Sequence, residues 1–154
     1  MEKRRIMYSQ QLIQKSKECL ADTFLMYMKA HSYHWNVVGS DFAEFHEFFG
    51  NLYEELHGSV DVLAEQIRTL ESYAPFSLLR MVELSNVTED QNVVSLEVMI
   101  DNLIEANTIV VNTLTEAYLM AEKEKAFSYS NFLQDRLTAH AKHAWMLRAI
   151  KGKQ

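Results

Sequence analysis

Apolar residues recur at helical spacing along most of the chain, and the places where that rhythm fails divide it into elements. Leu12, Leu20, Phe24, Tyr27 and Met28 form one series; Phe45, Phe48, Phe49, Leu52, Leu56, Leu63 and Ile67 form a second. Val38-Gly39-Ser40-Asp41 separates them: Gly39 suits a helix end, and Asp41 with Glu44 three residues on is an acidic variant of the capping box. Two antiparallel helices are expected, the second running from about Asp41 to about Ser72, where Ser72-Tyr73-Ala74-Pro75 halts it. Phe76 to Leu84 suits a short helix in a long connection. Thr88 with Gln91 reads as another capping box, opening a third long helix that Val93, Val94, Leu96, Ile100, Leu103, Ile104, Val110, Val111, Leu114 and Tyr118 carry to about Lys123. Ser128 or Ser130 then caps a fourth, with Phe132, Leu133, Leu137, Ala141, Ala144, Trp145 and Ile150 as its apolar positions and a stop near Gly152.

Composition narrows the fold class to all-α. Only 4 Gly and 1 Pro, against 48% hydrophobic residues, leave little material for the turns of a sheet protein. The pattern predicts four long helices with a short helix between the second and third, a bundle with one crossover of the ferritin-like kind. At 154 residues this is expected to be a single domain, 1–154, with a short N-terminal tail at 1–7 and a C-terminal tail at 151–154. One cysteine, Cys19, permits no intrachain disulfide and no thiolate-rich metal site, which fits a reducing, cytoplasmic setting. No segment approaches the roughly 18 apolar residues of a membrane-spanning helix, so no membrane association is expected.

The candidate chemistry lies on the first hairpin. His34 and His46 sit symmetrically about the break, with Asp61 and Glu65 following on the second arm. Imidazole and carboxylate ligands together suit iron, zinc or manganese. At about 100° per residue His46 and Asp61 differ by roughly 60° around the helix, so they share a face. Fifteen residues nevertheless separate them by some 22 Å at a rise of 1.5 Å. One chain cannot close such a site. If two copies pair their second helices antiparallel about a two-fold axis near residues 53 and 54, His46 of one faces Asp61 of the other, giving two intersubunit sites per dimer. An intra-bundle di-iron centre needs two Glu-x-x-His motifs, and the chain carries one, Glu54-Glu55-Leu56-His57.

The segment KAHSYHWNVVGSDFAEFHEFFGNLYEELHGSVDVLAEQIR, with the closing KHAWMLRA, resembles the Dps family, the DNA-binding proteins from starved cells that act as mini-ferritins. The likeness is close over the first hairpin and looser over the four-helix layout. It implies a homo-oligomer, a twelve-subunit hollow shell built from two-fold dimers, with ferroxidase sites at the dimer interfaces. There iron(II) is oxidised, preferentially by hydrogen peroxide rather than dioxygen, and is stored inside as ferric mineral. Carried over position by position, the catalytic metal ligands fall on His34 and His46 of one chain and Asp61 and Glu65 of its partner, and Trp35 corresponds to the family's tryptophan beside the site.

Three departures from the family pattern change the picture. Four residues after the second histidine, where the family commonly offers a carboxylate, this chain has Gly50. One of the two metal positions is then expected to be weak. Residue numbers that face each other in the proposed dimer sum to about 107, so Gly50 faces His57 of the other copy. His57 stands either as a replacement ligand or as a packing residue, and a carboxylate restored at position 50 is expected to tighten the second site. The acidic pore at the turn into the last helix falls on Glu122 and Glu124, without the familiar Gly-Asp. Finally, 15 Lys and Arg against 21 Asp and Glu give a net charge of −6, or about −72 for twelve copies. Only Lys3, Arg4 and Arg5, with Lys151 and Lys153 at the other end, offer a basic tail. DNA binding is disfavoured, and the competing reading is a DNA-associated or particle-associated shell with weak or lost ferroxidase activity.

Overall fold

The computed structural model describes residues 7–154. Among them the chain forms five helices and no strand: α1 (Gln10–Asn36), α2 (Phe42–Thr69), α3 (Leu78–Leu84), α4 (Leu96–Lys123) and α5 (Phe127–Ile150). α1 packs against α2 and α4, α4 against α5, and the short α3 lies on α1, while α2 and α5 barely touch. This is a four-helix bundle with its crossover between α2 and α4, as the pattern predicts. Lys3, Arg4 and Arg5 lie outside the described residues. Among the described residues no helix is long and apolar enough to cross a membrane.

Serines start three of the helices. Ser9 accepts from the Leu12 N–H at the head of α1, Ser77 from Arg80 at α3 and Ser95 from Val98 at α4. α4 therefore begins later than the Thr88 and Gln91 capping box predicts. That segment is held elsewhere: Asp90 accepts from the Tyr33 hydroxyl and from Asn102 Nδ2, and pairs with Lys29 Nζ at 3.3 Å, so the chain passes over the end of α1 before it coils. Asp41 stands at the N-cap of α2 without a side-chain cap hydrogen bond.

Left-handed turns end α2, α4 and α5. Glu71, with φ 66°, and Lys125, with φ 60°, each follow the C-cap, and the next N–H reaches back to the carbonyl five residues earlier: Ser72 to Ile67 at 3.3 Å and Ala126 to Ala121 at 2.8 Å. The first of these turns stops α2 at Thr69, short of the expected Ser72. The second places Ala126 at the N-cap of α5, so neither Ser128 nor Ser130 caps that helix. Gly152, φ 74°, closes α5 in the same way, near the position expected.

The core takes up much of the predicted stripes: Leu12, Leu20, Phe49, Leu56, Leu63, Ile67, Ile100, Leu103 and Leu114 are buried, whereas Phe24 and Tyr27 are only partly buried, Met28 and Val93 are exposed, and Met26 fills the α1 face instead. Cys19 sits in this core, and burial pushes its thiol up, so it is a packing group. α5 departs from expectation. Its buried face is Tyr129, Leu133, Arg136, His140, His143 and Leu147, and Trp145 is 58% exposed. The inward stripe has helical spacing, but its middle is polar and basic, so hydrophobic pattern alone rotates the helix wrongly.

Candidate metal centre

α1 ends and α2 begins on either side of the Gly39 turn, and this places the first two histidines face to face. The His34 and His46 rings stack with centroids 3.7 Å apart and planes 17° from parallel. His34 Nδ1–H donates to the His46 carbonyl at 2.6 Å, and His46 Nδ1–H donates to the His34 carbonyl at 2.7 Å. A carbonyl only accepts, so each Nδ1 carries a proton. In the neutral imidazole, each Nε2 then keeps its lone pair for a metal ion.

The carboxylates lie elsewhere. Asp61 and Glu65 are exposed one turn apart, in the C-terminal half of α2. Hydrogen bonding to Asp61, and then its negative charge, push the Glu65 carboxyl up, a repulsion that a cation between them would relieve. Among the described residues no three His, Cys, Asp or Glu side chains of one chain come together closely enough to hold a metal ion. The structure therefore joins His34 to His46 and Asp61 to Glu65, and leaves the two pairs apart within the chain.

The remaining candidates divide. His57 is exposed on the α1–α2 face, its ring 4.9 Å from that of Tyr27, so the single Glu-x-x-His motif points its histidine away from the bundle core. Trp35, 55% exposed, lies over His31 at 4.2 Å; His31 stacks on Tyr53 at 3.8 Å, and Tyr53 meets His34 edge-on at 5.2 Å. The His31 ring also lies 6.2 Å from that of His34, so the tryptophan connects to the site through His31. Burial, and then the neighbouring His34 and His57, lower the pKa of His31. Of the pore candidates, Glu122 is exposed, whereas Glu124 accepts from Ser9 N at 2.7 Å and Ser9 Oγ at 2.6 Å. Glu124 fastens the start of α1 to the α4–α5 turn.

Sequence reasoning did not find the polar cluster between α2 and α5. Arg136 donates to both oxygens of Glu55, His143 Nε2 lies 2.7 Å from Glu55 Oε1, and His140 Nδ1–H donates to Asn107 Oδ1 at 2.7 Å. Asn107 Nδ2 returns a bond to the His140 carbonyl, which fixes both the amide and the imidazole. Burial pushes the Glu55 carboxyl up, but the bonds from His143 and Arg136 and the positive charge outweigh it and hold the group well below the usual carboxylate range. The signal was present as Arg136, His140 and His143 at alternating spacings of four and three. Beside this cluster a cavity of about 360 Å³ opens between the two helices, lined in part by Phe48, Leu52, Met146 and Leu147.

Comparison with known proteins agrees with the fold. The family model "Ferritin-like domain" matches residues 15–153. General stress protein 20U of Bacillus subtilis is 31% identical over 144 residues, covering 94% of this chain and 99% of that protein. DNA protection during starvation protein 2 of Bacillus anthracis is 28% identical over 142 residues, 92% of this chain and 97% of the relative. The crystal structure of the Dps protein from Vibrio cholerae, described as a member of a broad superfamily of ferritin-like diiron-carboxylate proteins, superposes with a TM-score of 0.87 at 26% identity, covering 91% of this chain and 88% of that one. With its five helices in the same arrangement and the ferritin-like domain spanning nearly its whole length, this chain belongs to the Dps family of ferritin-like proteins.

Proposed function

We propose that this chain is the subunit of a dodecameric mini-ferritin that oxidises iron(II), with hydrogen peroxide as preferred oxidant, and stores the ferric product in a hollow shell. The observation that carries this reading is the reciprocal pinning of His34 and His46, which protonates both Nδ1 atoms and leaves both Nε2 lone pairs free for a metal ion. Two donors hold an iron ion poorly. Asp61 and Glu65 supply the hard oxygen ligands that the histidine pair lacks, and an antiparallel pairing of two α2 helices delivers them from a second copy. Association is also supported by the apolar surface that Phe76, Leu78, Leu79 and Val82 leave exposed around α3.

In this reading two iron(II) ions give up one electron each, and one hydrogen peroxide with two protons becomes two waters. Removing iron(II) and peroxide together protects the cell from oxidative damage. The metal is iron, with two positions per site, of which the second is weaker because residue 50 brings no carboxylate. The chain acts as a single domain. His34, His46, Asp61 and Glu65 are the ligands; Trp35 is a redox neighbour; Glu122 borders the iron entry; His57 lines the dimer face.

Mixed dimers test the shared site. A His34→Ala/His46→Ala chain reassembled with an Asp61→Ala/Glu65→Ala chain places both lesions in one site and leaves the other intact. Iron(II) oxidation should be absent in each parent and return in the mixture. A mixture no more active than its parents would overturn the intersubunit assignment.

A further inference from the structure

Arg136 is a buried cation set among groups of the kind that hold metal ions. Its Nη1 lies 2.6 Å from Glu55 Oε2, and its Nη2 lies 2.9 Å from Glu55 Oε1 and 3.4 Å from His140 Nε2. Because His140 Nδ1–H donates to Asn107 Oδ1, and burial keeps the ring neutral, the Nε2 that faces the guanidinium carries a lone pair. A carboxylate from α2 and an imidazole from α5 thus converge on one atom. Arg136 Nε, also buried, has no hydrogen-bond partner.

Both groups are oriented as metal ligands are. A ligating imidazole donates its other N–H to a fixed acceptor, and a ligating carboxylate is itself hydrogen-bonded. His140 has Asn107 for this, and Glu55 Oε1 has His143 Nε2 at 2.7 Å. Metal bonds to such donors are about 2.0–2.2 Å long, so the two side chains need to close in by roughly an ångström around an ion. The cavity of about 360 Å³ that Glu55 and His143 help to line gives an ion a way in, and gives room for the waters that complete its shell. While the guanidinium is in place, a second cation finds neither space nor a free carboxylate.

We infer that Glu55 and His140 form a latent divalent-metal position inside the bundle, which Arg136 fills as a built-in cation and so closes to metal. Nitrogen and oxygen donors together suit zinc, cobalt(II) or iron(II). The position draws its donors from α2 and α5 of one chain and shares no residue with the centre at His34 and His46, so it stands apart from the function proposed above. Metal offered to the wild-type protein is kept out of the bundle interior by the arginine.

Co(II) titration of the full-length protein tests this, since visible absorption reports the ions bound and their geometry without turnover. Arg136→Ala should take up an additional Co(II) per chain relative to wild type, and Arg136→Ala/His140→Ala should lose that extra ion. If Arg136→Ala does not fold by itself, Co(II) should restore folding by returning a cation to Glu55, and should not do so once His140 is also replaced. The inference is overturned if Arg136→Ala neither binds an additional ion nor is rescued by Co(II), or if the extra ion persists in the double variant. It is overturned equally if His140→Ala alone removes a bound Co(II) from the otherwise wild-type protein, because the arginine then does not close the position.

Discussion

The Arg136 guanidinium meets the Glu55 carboxylate through two bonds, 2.6 and 2.9 Å long, and this pair ties α2 to α5 where the two helices otherwise hardly meet. Arg136 is buried, whereas Glu55 keeps part of its side chain in water. The pair's main role is to neutralise a charge that the bundle has already enclosed.

Removing one partner should therefore cost more than removing both. Glu55→Ala leaves the Arg136 charge buried without its carboxylate, a loss expected near the lower end of about 3–5 kcal/mol because water reaches the Glu55 side. Glu55→Ala with Arg136→Met should recover most of that loss. Chemical denaturation of the assembled protein measures the difference, and a double variant no more stable than Glu55→Ala would contradict this account.

His140 makes stability depend on pH. Burial, followed by the positive Arg136, lowers its pKa from 6.5 to about 3, because the charged form would have to sit inside the bundle. A folded value below the unfolded one means that the contribution is complete above about pH 6.5 and is lost as the pH falls, at up to about 1.4 kcal/mol per pH unit. The depressed Glu55 carboxyl matters only at lower pH, below the ordinary carboxylate value of 4.5. Between pH 7 and 5 the stability of His140→Gln should fall less steeply than that of wild type. Equal slopes in denaturant titrations would show that His140 is not the sensitive group.

Charge opposes DNA binding. With a net charge of −6 per chain, phosphate attraction rests on short basic ends such as Lys3, Arg4 and Arg5. At about 0.15 M salt, where the Debye length is near 8 Å, plasmid mobility in a gel should be unchanged by the assembled protein. A retarded complex that disappears on deletion of residues 1–7 would show that the tail outweighs the shell.

Much of the fold is legible in the chain because helices bury one face, and burial imprints a period. The stripes of α1, α2 and α4 predict most of the buried residues, with Met28 and Val93 as exposed exceptions, and Gly39 marks the turn that brings His34 and His46 together. The spacing of His46 and Asp61 also shows, from helix rise alone, that one chain cannot unite them. Helix starts were less legible: Ser95 rather than Thr88 begins α4, because Asp90 is held by Tyr33, Lys29 and Asn102, which are distant in sequence.

Only the tertiary structure decided three matters. α5 turns Arg136, His140 and His143 inward, since Glu55 and Asn107 on two other helices satisfy them, and no periodicity of hydrophobic residues encodes a partner on another helix. Glu124 is bound to Ser9 across the length of the sequence. Gly50, which in sequence reads as a missing ligand, packs in space against the His34 ring. Sequence spacing determines which side chains can share a face of a helix. What each of them touches depends on atoms contributed by other helices, and only packing brings those within reach.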